Sequence, residues 1–241
     1  MNFIKYGHTK IYYTMYKQER RDIKITVDLV NGVLIYVAKD TPENEIEDIL
    51  KKRAKWIYDK QQSLNEVQTE VVKKEFVSGE KFEYLGRSYR LKVHREAIPD
   101  STLKFKQGKF IAEVPHYWPQ IDVEAKLKEA LIMWYRNYGI KKIHERAQYF
   151  EKIMGTEAHS IQLRTQHKRW GTCTPEGNIY LNWRIVMAPM RVIDYIIVHE
   201  LAHLRIPEHN EKFWQLIKSI LPKYEESKEW LRVNGTTLYA I

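Results

Sequence analysis

The chain has 241 residues, 44% of them hydrophobic and 12% aromatic, enough for one large packed domain or two small ones. Its formal net charge of +9 is spread along the chain, +5 over residues 1–115 and +4 over residues 116–241, so no basic tail marks a dedicated nucleic-acid arm. The single cysteine, Cys173, excludes an intramolecular disulfide framework and fits a reducing, cytoplasmic setting; residues 1–8 lack the apolar core of a signal peptide, and no aliphatic run is long enough to span a membrane.

In chain order, the segments Ile11 to Met15, Asp22 to Leu29 and Val33 to Val37 are rich in β-branched and aromatic residues. Asn31-Gly32, between the last two, is a hairpin signal, so a sheet opens the fold. Thr41-Pro42 then predicts a helix start, with Thr41 as N-cap, and Ile46, Ile49, Leu50, Ala54 and Ile57 carry its apolar face. Lys51, Lys52 and Lys55 form a basic outer face that reads as solvated. Residues 61–72 are polar and read as a connector. Strands follow at Lys81 to Leu85, Arg87 to Val93, Leu103 to Lys106 and Phe110 to Val114, separated by Gly86, Pro99-Asp100 and Gly108. Residues 1–115 thus read as a β-rich N-terminal domain with one helix.

From Pro119 the apolar period becomes helical, through Leu127, Leu131, Trp134, Tyr138, Ile143, Ala147 and Phe150 up to Gly155, with Gly139 as a weak point. Strands are predicted at His159 to Leu163, Lys168 to Cys173 and Asn178 to Val186, with Pro175-Glu176-Gly177 as a turn. In the last strand Ile179, Leu181, Trp183 and Ile185 alternate with Tyr180, Asn182 and Arg184, so the second set lines a cleft and the strand offers an edge to a substrate backbone. Pro189 closes that unit and a helix starts at Met190 or Arg191. Residues 116–241 form the second domain, the fold class is α+β, and no internal repeat is visible.

That last helix carries His199-Glu200-Leu201-Ala202-His203, the HExxH pattern. At 3.6 residues per turn both imidazoles project from one face and reach one ion, while Glu200 faces a zinc-bound water as general base without being a ligand. Catalytic zinc takes three protein ligands, so a third is required. Pro207 ends the helix near Arg205 and a short turn brings His209 back toward the metal, with Asn210 capping the next helix; the competing ligands are Glu225, Glu226 and Glu229. One Zn2+ per chain is expected. Arg169, Arg184 and Lys168 are candidates for holding negative charge, so Arg169, Asn182 and Arg184 make up the candidate substrate-binding set.

Several of these segments, taken in order, carry a likeness: Arg169-Trp170-Gly171-Thr172-Cys173, Gly177-Asn178-Ile179 with Leu181-Asn182-Trp183-Arg184, Asp194-Tyr195, the HExxH stretch, and His209 with Phe213-Trp214. Together they resemble the YgjP-like zinc metallopeptidases, a family similar to the SprT-like and WLM zincins. The resemblance spans nearly the whole chain and is strongest over residues 164–216. It implies a zincin-like catalytic domain with His199, His203 and His209 as ligands and Glu200 as base. Thr172 in place of the usual Ser, and Glu208 and Asn210 around the third histidine, depart from the pattern. The expected function is a zinc-dependent hydrolase acting on a peptide or protein. The alternatives are a nucleotide pyrophosphatase or phosphohydrolase on the same site, or a DNA-associated binding module; weak nucleic-acid or nucleotide binding fits the charge, and no membrane partner is expected.

Overall fold

Alternating apolar residues at the start of the chain build a four-stranded sheet from β1 (Asn2–Tyr6), β2 (Thr9–Gln18), β3 (Lys24–Asp28) and β4 (Gly32–Ala38), in the order β1-β2-β4-β3. The computed structural model describes residues 2–20, 22–28, 31–64, 73–166 and 169–241; Arg21, Leu29, the 65–72 part of the expected connector and Lys168 lie outside the described residues. Helix α1 (Glu43–Leu64) follows, so residues 61–64 are helical rather than connector. The strand β1 is a further addition to the sequence expectation. Strand β4 is buried on both faces: Val33, Ile35 and Val37 join Ile46, Leu50 and Ile57 of α1 in one hydrophobic cluster, while Leu34 and Tyr36 point the other way, as a period of two requires.

A second sheet, β5 (Lys81–Tyr84), β6 (Arg87–Glu96), β7 (Thr102–Lys106) and β8 (Lys109–Pro115), has the order β5-β6-β8-β7. Its outer pairs are antiparallel and its central pair parallel, as in the first sheet, and a long helix follows it too. The same ββββα topology therefore occurs twice in a chain whose sequence shows no repeat. That helix, α2 (Gln120–Met154), runs 35 residues without a break and ends at Gly155. The expected weak point at Gly139 is a packing site instead: a Cβ there would stand 2.4 Å from Val186 Cγ1, so glycine lets the helix lie against that chain segment. The second sheet and α2 share one large cluster with all that follows, so side chains from both sides of residue 115 pack together.

The third sheet is small: β9 (Ser160–Arg164), β10 (Gly171–Cys173) and β11 (Asn178–Asn182), in the order β10-β11-β9. The strand expected to reach Val186 stops at Asn182, where Asn182 accepts a hydrogen bond from Arg184 N and Trp183–Met187 winds into a 3-10 turn. Being central, β11 offers no edge to a substrate; the outer strands of this sheet are β10 and β9. Three helices complete the fold: α3 (Met190–His203), α4 (Glu211–Ile220) and α5 (Tyr224–Asn234). Helix α3 is buried along almost its whole length, against α2, α4 and α5.

Candidate metal centre

Helix α3 carries His199 and His203 one turn apart, and the chain leaves it through Leu204 to Pro207, with Ile206 N still bonded to Ala202 O at 2.9 Å. Asn210 then accepts from Phe213 N at 3.0 Å and starts α4, which fixes the short turn bearing His209. The outcome is convergence: one ring nitrogen from each of His199, His203 and His209 lies within 4.8 Å of the others. His209 Nε2 is 3.0 Å from His199 Nε2. The competing carboxylates are exposed on α5, where Glu226 pairs with Lys223 and Glu229 with Arg232.

Phe213, fully buried, is the wall against which the three rings pack, with centroid separations of 5.0, 4.6 and 4.7 Å to His199, His203 and His209. Trp214 stacks on His209 at 5.5 Å and on Tyr224 at 5.6 Å. His203 Nδ1 lies 3.2 Å from Ile206 O, so that nitrogen donates to the carbonyl and Nε2 is left to face the cluster. Burial, reinforced by His209, His203 and Lys228, holds the pKa of His199 well below the usual histidine range. It is therefore a neutral imidazole, the form that ligates a metal. Three neutral-capable nitrogens converging beside a carboxylate fit a divalent cation of the zinc class, which takes three protein ligands in a catalytic site.

Glu200 is fully buried beside the triad and accepts from Asn31 Nδ2 at 2.9 Å. Gly171, of the Arg-Trp-Gly segment, makes space for it. Helix α3 is itself tied to α2 by the Arg146–Asp194 fork, with Nε and Nη2 donating at 2.7 and 2.8 Å. Cys173 is buried and its thiol is pushed up to about 12 by burial, with Glu200 and Glu176 adding to the effect, so it is no thiolate.

The three candidate substrate residues separate. Arg169 stays at the site: Nη1 donates to Thr14 Oγ1, and burial lowers its pKa against the opposing pull of Tyr16 and Glu200. Asn182 is fully buried and its amide donates to Gln166 O, Arg169 O and Tyr239 Oη, which makes it a strut beneath the 3-10 turn. Arg184 donates to Ile241 O at 2.8 Å and lies over Trp183 and Tyr239. With the strand ending at Asn182, neither side chain follows the alternation that would have turned it into a cleft. The residue missed by spacing is Asn31: its Oδ1 lies 2.6 Å from His199 Nε2 and 3.4 Å from His203 Nε2. In the sequence it shows only as a turn residue.

No curated protein matches the chain. Among solved structures, the crystal structure of the metallopeptidase zymogen abylysin from Pyrococcus abyssi is similar at 20% identity, with a TM-score of 0.36 over 39% of this chain and 93% of that chain. A family model described as YgjP-like, metallopeptidase domain, matches residues 21–234, and the chain belongs to that family of metallopeptidases.

Proposed function

We propose that the protein is a zinc-dependent peptidase, with one Zn2+ per chain held by His199, His203 and His209 and with Glu200 as the general base. The observation that carries this reading is the convergence of three imidazole nitrogens within 4.8 Å beside a buried carboxylate. When bound, zinc supplies Lewis acidity, polarising a scissile carbonyl and making a water easier to deprotonate. Glu200 takes the proton of the attacking water and hands it to the leaving amine. Its burial and fixed position beside the imidazoles keep that proton transfer away from bulk solvent.

Arg169, in electrostatic reach of Glu200, is the residue of the candidate substrate set that we retain, as a cation opposing negative charge that develops at the site. Beside His203 lies a cavity of ≈ 300 Å³, with Cys173, Pro175 and Pro207 on one side and Tyr16, Lys17 and Gln18 of β2 on the other. A peptide library and a set of nucleoside triphosphates, incubated with protein before and after chelation and again after zinc is restored, test the reading. Peptide cleavage should vanish on chelation and return with zinc. Cleavage that persists in chelator, or zinc-dependent hydrolysis confined to the triphosphates, would reject it.

A further inference from the structure

The first sheet is not merely adjacent to the metal centre. Asn31, from the β3–β4 hairpin, is only 2% exposed and reaches two functional groups at once. Its Oδ1 faces the imidazole cluster, 2.6 Å from His199 Nε2, and its Nδ2 donates to Glu200 Oε1 at 2.9 Å. A carboxamide with its oxygen toward the histidine nitrogens and its N–H toward the base has the polarity of a peptide bond awaiting cleavage.

The same unit also takes the edge of β10. Asn182 N donates to Trp170 O and Thr174 N to Asn178 O, and Thr172 is registered against Tyr180, so residues 170, 172 and 174 bond toward β11. The carbonyls of Gly171 and Cys173 therefore face outward. Asn31 Nδ2 donates to Gly171 O at 3.3 Å and Tyr16 Oη to Cys173 O at 2.8 Å, filling acceptors that an added peptide strand would use.

We propose that the β1–β4 unit is a built-in cover of the metal centre, with the Asn31 carboxamide as a plug that occupies the substrate amide's place until the unit withdraws. The inference rests on the metallopeptidase reading of the site. Polar contacts help to fasten the cover: Tyr36 Oη donates to Pro207 O at 3.2 Å, and Arg20 and Lys24 pair with Glu208 at 3.1 and 2.5 Å, next to His209. Val33, Ile35 and Val37 of the cover pack with α1 inside the unit itself, while Leu34 and Tyr36 on the other face of β4 are buried as well. A unit that packs a hydrophobic cluster of its own moves as a body relative to its neighbour without unfolding.

If the open form is a minor one, any ligand of the metal centre binds more weakly by the fraction open. Acetohydroxamate, a small metal-chelating amide, is the probe. In full-length zinc-loaded protein, Asn31→Ala should bind acetohydroxamate at least about tenfold more tightly than wild type, corresponding to an open fraction of roughly a tenth or less in the wild type. Peptide cleavage should rise and zinc stoichiometry should not change. Lys24→Glu, which sets a carboxylate against Glu208 without touching Asn31, should shift affinity in the same direction by less. Equal or weaker acetohydroxamate binding by zinc-loaded Asn31→Ala, or a fall in its peptide cleavage, overturns the plug while leaving the metal reading intact. Failure of both wild type and Lys24→Glu to take up zinc overturns the metal reading beneath it.

Discussion

Gly171 and Glu200 share a space that only one side chain fills: a Cβ on Gly171 would stand 2.3 Å from Glu200 Oε1 and 2.6 Å from its Cδ. The glycine of the Arg-Trp-Gly segment is thus the seat of the proposed base. Gly171→Ala must push the carboxylate aside, and loss of a group that orients a catalytic side chain typically costs about 10–100-fold in activity. Such a drop in kcat with full zinc content is expected; unchanged turnover would separate Gly171 from the base.

The third ligand is testable by elimination. His209→Ala should lose zinc on gel filtration in low chelator, whereas Glu229→Ala, whose carboxylate already pairs with Arg232, should retain it. Metal analysis of the two variants gives the answer, and the reverse pattern would move the site to α5.

Arg146→Ala should destabilise the fold, because Asp194 would lose both forked donors in a largely buried setting. Hydrogen bonds to a charged group are worth ~1.5–3 kcal/mol, and urea denaturation should show a loss of that order. Zinc affinity should fall with it, since the fork ties α2 to the helix bearing His199 and His203.

Much of the centre is legible in the sequence because it is local. Helical spacing places His199 and His203 on one face, Pro207 stops the helix, and Asn210 starts the next one at the predicted place. What spacing does not carry is contact at long range. Asn31 meets His199 across 168 residues, and an Asn-Gly pair is fully accounted for by a hairpin. Alternation also continues from Ile179 to Ile185 by composition alone, although Asn182 caps a 3-10 turn and ends the strand. The repeated ββββα topology is invisible because strand order is set by tertiary pairing rather than by any shared residue pattern.

Cys173 supplies a check on burial at the β10 edge. With its thiol near 12, about a thousandth is ionised at pH 9, and the thiolate is the reactive form. The native protein should therefore react very slowly with a disulfide reagent at pH 8, and one thiol should appear in urea. Since the folded thiol titrates above the unfolded value of 9.0, its protonated form favours the native state most below pH 9, and that stability declines as pH rises toward 12. Rapid native labelling at pH 8 would show that the edge is open.

The most direct measurement takes zinc content and peptide cleavage from the same preparations of wild type and Glu200→Gln. The account predicts about one zinc per chain in both proteins, with cleavage in the wild type and its loss in the variant. Cleavage undiminished in zinc-loaded Glu200→Gln would contradict it.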